Sequence, residues 1–222
     1  MASSWAVRSV LLRPERIEAM SDVVASADDR GVPVYVAPAE VYDRVAGFPV
    51  HRGVLALGER RPDPAPADLL AGGDLVVVAE GLNDHENLGA LFRNAAAFGA
   101  SALLLDPTCC DPLYRRCVRV SVGHVLTVPF ARLAPWPASL ALLADAGFLV
   151  VALDPSAPHT LASLEEARRG RVALLLGAEG PGLTPGARGA ASARARIPMA
   201  GGVDSLNVAT AAAVALHELR WR

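Results

Sequence analysis

Val172-Ala173-Leu174-Leu175-Leu176-Gly177-Ala178-Glu179-Gly180-Pro181-Gly182-Leu183 is the stretch from which the fold of this chain is read. Its five opening apolar residues, closed by a glycine, have the length and composition of a strand buried on both faces. Three glycines in the six residues from Gly177 let the backbone approach a ligand or a second loop closely. Between them stands a carboxylate, Glu179, able to accept hydrogen bonds from a nearby loop, a ribose or a base. A tight turn would account for the same glycines. The spacing is not the Gly-x-Gly-x-x-Gly of dinucleotide sites, and the strand lies late in the chain.

Outward from this strand, the runs Leu75–Ala79, Ala102–Leu105, Val125–Pro129, Phe148–Leu153 and Arg196–Pro198 alternate with helical patterns. The alternation predicts an α/β fold over residues 74–222: a parallel sheet with helices on both faces. Ligands of such sheets sit on the loops beyond the carboxyl ends of the strands. Upstream, Val7–Leu12, Val32–Val36 and Gly53–Leu57 read as strands, with helices over Pro14–Ala27 and Ala39–Ala46. They predict a small α/β domain over residues 1–60. The proline-rich segment that follows reads as a linker over residues 61–73.

Composition removes several functional classes. All 21 basic residues are arginine, so the chain has no lysine for a phosphate-binding loop, a Schiff base or a kinase site. Anions must be held by guanidinium groups, backbone N–H groups or helix ends. A net charge of −2 makes any nucleic-acid binding a matter of local patches or of two subunits combined. The three cysteines form neither a disulfide framework nor paired metal ligands, and no run spans a bilayer or reads as a signal peptide. A cytoplasmic protein is expected. His51, His85, His124, His159 and His217 are not spaced as a metal site, so no metal is expected.

Two further loops carry polar groups next to helices. Gly81 to Gly89 (GLNDHENLG) feeds a helix whose buried stripe is Leu88, Leu91, Phe92 and Ala95, with Asn87 placed to cap it and Arg93 off the stripe. Ile197 to Val208 (IPMAGGVDSLNV) runs into an alanine-rich helix from Leu206 to about Leu219, with Ser205 as N-cap. That helix is apolar nearly all round, so Asn207 at its head is a polar amide that needs partners. A capping Asn, a surface Arg and a structural Asn207 would be the plain interpretation of each loop alone.

Taken in order, Asn87-x-Gly89 with Arg93, then Gly177-x-Glu179-x-x-Gly182, then Ile197-Pro198-Met199 with Ser205-Leu206-Asn207-Val208, resemble the three motifs of the SpoU/TrmH family of the SPOUT superfamily. Members are RNA ribose 2′-O-methyltransferases. The resemblance covers about 150 residues and includes the Ser121-Val122-Gly123-His124 turn. Residues 1–60 resemble the family's small substrate-binding domain, including Phe48 to Gly58, without its usual first strand and helix. Two positions depart from the pattern: Asp84-His85-Glu86-Asn87 lacks the proline usual two residues after the Asp, and Ala209 stands where a serine is usual.

The resemblance implies a C-terminal trefoil knot, a homodimer, S-adenosyl-L-methionine as cofactor and RNA as substrate, rRNA preferred over tRNA. It implies a cofactor held mainly by backbone around Gly177, Ile197 and Leu206, with Leu153, Gly182 and Met199 beside them. Arg93, Asn87, Glu179, Ser205 and Asn207 would form the catalytic set, the resemblance implying that Arg93 takes the hydroxyl proton, although a guanidinium more easily orients an RNA phosphate and stabilises the developing alkoxide. Tyr114, Arg115, Arg116 and Arg119 form the basic cluster expected to meet RNA, Tyr114 stacking on a base. Two rival functions are a non-catalytic RNA-binding homodimer acting in ribosome assembly and a nucleotide-dependent oxidoreductase; the second lacks the early glycine fingerprint.

Overall fold

The computed structural model describes residues 5–47, 52–165, 167 and 170–220, and the chain divides into two compact units, Met1–Pro62 and Asp63–Arg222. In the first, β1 (Val7–Leu12) is the centre of a three-stranded sheet. It pairs in parallel with β2 (Val34–Val36) and antiparallel with β3 (Val54–Gly58). The helix expected over Pro14–Ala27 is instead two 3₁₀ turns, Pro14–Arg16 and Glu18–Met20, followed by α1 (Ser21–Asp28). Nothing in those two turns is buried, so no packing rewards a continuous α-helix there. Helix α2 (Ala39–Ala46) buries Tyr42 and ends where Gly47 turns left-handed. Phe48 to His51 lie outside the described residues.

The second unit begins inside the expected linker. Residues 66–70 form α3 (Pro66–Leu70), and Leu70 is buried in the unit's core, because Leu69 and Leu70 give this segment an apolar face to bury. The seven-stranded sheet is parallel throughout, in the order β6-β5-β4-β9-β7-β10-β8. Its strands are β4 (Leu75–Ala79), β5 (Ala102–Leu105), β6 (Phe130–Arg132), β7 (Phe148–Leu153), β8 (His159–Thr160), β9 (Arg171–Leu176) and β10 (Ala193–Arg196).

Every residue of β4 and β5 is buried, as the continuous apolar runs require of strands covered on both faces. Val76, Val78, Leu104, Val150 and Leu175 pack on the side of α3, α6 (Ala141–Asp145) and α7 (Pro185–Ala190). The opposite side carries α4 (His85–Ala97) and α8 (Val208–Arg220), with α5 (Arg115–Val120) against α4. Gly89 is why α4 and α5 come so close: a Cβ there would stand 2.9 Å from the Cys117 carbonyl and 2.9 Å from Val120 Cβ.

Two strands are displaced from their expected places. Val125–Pro129 is largely a 3₁₀ turn, His124–Leu126, and β6 starts at Phe130. The His124 carbonyl accepts from both Thr127 and Val128 N–H, which closes a turn that β-branched residues alone do not announce. The last strand is Ala193–Arg196 rather than Arg196–Pro198, since Pro198 has no N–H to give a ladder.

Candidate functional site

The carboxyl ends of β7, β9 and β10 open into a cavity of about 600 Å³, walled by Leu153, Leu176, the loop from Gly177 to Leu183, Ile197 and the segment from Asp204 to Val208. That volume falls within the range of small-molecule sites, roughly 300–1,000 Å³. All six residues expected to hold a cofactor (Leu153, Gly177, Gly182, Ile197, Met199 and Leu206) lie on its wall, as do Glu179, Ser205 and Asn207.

The glycine loop is folded tightly on itself. Gly182 N–H donates to the Ala178 carbonyl at 3.0 Å, and Ala178 and Gly182 form an isolated bridge. A Cβ on Gly177 would lie 2.4 Å from the Gly182 carbonyl carbon and 2.4 Å from Leu183 N. Only glycine fits there. Gly180 and Gly182 hold φ of 82° and 67°, so the turn is built from conformations other residues avoid.

Asn207 ties the three motifs together. Its Nδ2 donates to Asn87 Oδ1 at 2.8 Å and to Glu179 Oε1 at 2.5 Å. Its Oδ1 accepts from Ala209 and Thr210 N–H at 3.0 and 3.1 Å, which makes Asn207 the N-cap of α8. Both amide hydrogens and the oxygen are thus engaged, which fixes the side chain's orientation. Two expectations are corrected by this geometry: the cap is Asn207 and not Ser205, and α8 starts at Val208 and not at Leu206. Asn207 takes the free N–H groups at the head of α8, while its Nδ2 and the Val208 N–H donate to the Glu179 carboxylate.

Asn87 likewise does not cap α4. Asp84 does, accepting from Glu86 and Asn87 N–H. Asn87 is the third residue of α4, and Asn94, two turns on, donates to the Ala209 carbonyl at 2.7 Å, so one face of α4 is bound to the head of α8. With Oδ1 facing Asn207, no group among the described residues accepts from Asn87 Nδ2, and none donates to Glu179 Oε2. These are a free donor and a free acceptor side by side.

Arg93 is not on the cavity wall of its own chain. It sits one turn after Gly89 on the side of α4 that faces α5, exposed and without an ion pair among the described residues. In the basic cluster, Tyr114 is exposed and packs its ring 4.5 Å from that of His85, while Arg116 is paired to Glu86 at 2.6 Å. Arg115 lies 5.9 Å from the Tyr114 ring, and Arg119 is exposed.

Several buried polar groups escaped the sequence analysis. Asp154, also on the cavity wall, is held by Ser156 and by Arg194 at 2.8 Å, with Arg188 Nε 3.3 Å away. Burial alone would raise its carboxyl, but the hydrogen bonds from Ser156 and Arg194 outweigh it and hold the group below the ordinary aspartate range. Asp106 accepts from Gly81, Thr108 and Cys109 and so pins the loop before α4. Burial pushes the Cys109 and Cys117 thiols up to about 12, which leaves both as inert core residues. Among the described residues no group of three or more His, Cys, Asp or Glu side chains could hold a metal ion, and no helix is long and apolar enough to cross a membrane.

A parallel sheet with late glycine loops around a walled cavity is the framework of a cofactor-dependent transferase, and the match of residues 74–217 to the SpoU rRNA methylase family shows that the chain belongs to that family. More particularly, it is an S-adenosylmethionine-dependent RNA methyltransferase. An uncharacterised tRNA/rRNA methyltransferase of Mycobacterium bovis is 46% identical over 223 residues, covering 98% of this chain and 75% of its own length. The AdoMet-bound rRNA methyltransferase of Sinorhizobium meliloti superposes with a TM-score of 0.84 at 29% identity, covering 98% of this chain and 80% of the other. A solved RNA 2′-O ribose methyltransferase gives 0.73 at 28% identity, with 97% and 81% coverage.

Proposed function

We propose that this enzyme methylates a ribose 2′-hydroxyl of structured RNA, rRNA in preference to tRNA, and that the cavity bounded by Gly177 and Leu206 is its cofactor site. The observation that carries this reading is the Asn87–Asn207–Glu179 network at the cavity mouth, which leaves one donor and one acceptor unused. The likeness to a solved 2′-O ribose methyltransferase supports the same target. The residues fit the cofactor: a tight loop that closes only on a glycine at 177, apolar walls at Leu153, Leu176 and Ile197, and carboxylates at Glu179 and Asp204 to balance a sulfonium charge.

When bound there, S-adenosylmethionine supplies an electrophilic methyl group. The chain's own task is alignment and removal of a proton. Asn87 Nδ2 is free to hold a ribose oxygen, and Glu179 Oε2 to accept from the hydroxyl that reacts. Ser205 stands on the wall beside them. Arg93, unpaired and off its own cavity, holds an RNA phosphate and stabilises developing alkoxide charge. In this reading it serves the cavity of a second subunit, the chain working as a homodimer with a C-terminal trefoil knot around the cofactor.

Methyl-label transfer to RNA followed by mapping of the labelled ribose tests the proposal. Arg93→Ala should retain fold and cofactor affinity while transfer falls by roughly 10²-fold or more. Label on a base, or transfer by Arg93→Ala at the wild-type rate, would overturn the assignment.

A further inference from the structure

A residue outside the three motifs, with a buried carboxylate, is bonded to both flanks of the glycine loop. Glu80 follows β4 and is only 4% exposed. Its Oε1 accepts from Trp136 Nε1 at 2.6 Å and from Thr184 Oγ1 at 2.6 Å, and its Oε2 accepts from Thr184 N–H at 2.8 Å. Its own N–H donates to the Leu176 carbonyl at 2.9 Å. Glu80 therefore grips both ends of the glycine loop: Leu176 directly before it, and Thr184 directly after it.

Thr184 is the second half of the device. Its hydroxyl gives its one hydrogen to Glu80 and accepts from Ala187 N–H at 3.2 Å, capping α7. The loop between the two grips carries Glu179, which holds Asn207, so the register of the loop sets where the carboxylate at the cavity mouth stands. Within the loop, the Ala178–Gly182 bridge and the Glu179 bonds hold its turn, and Leu183 is anchored in the core with its carbonyl accepting from Arg188.

We propose that Glu80 is a positioning residue for the cofactor: it holds the loop 177–183 in its binding shape through Thr184 and Trp136. The inference rests on the cavity being the cofactor site. Exchanging Glu80 for Gln keeps the volume but turns an N–H₂ group toward Thr184 N–H or toward the Trp136 indole, donor against donor. Thr184→Ser retains both hydroxyl roles, and Thr184→Val loses both.

The test is calorimetric titration of the full chain with S-adenosylmethionine, beside steady-state methyl transfer. Glu80→Gln and Thr184→Val should weaken cofactor binding roughly tenfold and raise the KM for the cofactor by a similar factor, while Thr184→Ser binds as wild type. Wild-type indole emission should change on cofactor binding, and Trp136→Phe should lose that change. Wild-type affinity in Glu80→Gln, or equal weakening in Thr184→Ser and Thr184→Val, would overturn the proposal. Should Glu80→Gln fail to fold, the Thr184 pair decides alone. Leu206→Trp, which fills the cavity, separates the two readings. If it leaves affinity intact, the cavity is not the cofactor site. If it abolishes binding while Glu80→Gln does not, only the role of Glu80 falls.

Discussion

Gly177→Ala is the sharpest perturbation of the cavity. The added methyl would meet the Gly182 carbonyl carbon and Leu183 N at 2.4 Å and the Gly182 oxygen at 2.7 Å. All three are backbone atoms of a loop closed by the Gly182–Ala178 hydrogen bond, so no side chain can swing aside. The loop must open, and opening moves Glu179 away from Asn207 and Val208. Overpacking of this kind costs about 1–3 kcal/mol, equivalent to cofactor binding roughly 5- to 150-fold weaker if the loop carries the whole strain. The assay is titration calorimetry with S-adenosylmethionine beside thermal denaturation. Gly189→Ala serves as control, since a Cβ there meets nothing within 4 Å and no left-handed φ forbids it. A Gly177→Ala protein that binds the cofactor as tightly as Gly189→Ala would refute the argument.

Gly89→Ala should act on stability instead of binding. The clash with Cys117 O and Val120 Cβ separates α4 from α5, at a cost of about 1–3 kcal/mol in chemical denaturation, and an unchanged midpoint would contradict the packing described. Asp154→Asn should show a pH signature. The folded carboxyl is held below its ordinary value, so its contribution is complete above the unfolded pKa and is lost as pH falls through the folded one. The wild type should therefore be more stable than Asp154→Asn at neutral pH, with the gap closing below pH about 4. A gap that stays constant with pH would count against the ion-pair account.

The glycine loop, Glu179 and Asn207 were legible because each carries a local signature: a buried strand ending in glycines, or an amide at a helix head. The continuous apolar runs of β4, β5 and β9 likewise announced strands covered on both faces. Choosing between Ser205 and Asn207 as cap was beyond local information, since both are good caps and the Glu179 contact that orients Asn207 comes from 28 residues upstream. Glu80, Trp136 and Thr184 left no trace at all. A glutamate after a strand is ordinary until Trp136 and Thr184, 56 and 104 residues away, fold over it. The strand expected at Val125–Pro129 failed for the opposite reason, a strong local propensity overridden by a turn.

The middle strand of the larger sheet is β9, flanked by β4 and β7, and in synthesis it follows β4 to β8.

 The ribosome therefore releases the half-sheet β4-β5-β6 and an unpaired β7 before the strand that joins them exists, and β8 waits for β10. Until residue 176 emerges, the edges of β4 and β7 that β9 will cover have no partner, so closure of the sheet is a late, long-range event. The same strand delivers Gly177 and Glu179 to the cavity, and the site is complete only when Asn207 follows and joins Glu179 to Asn87.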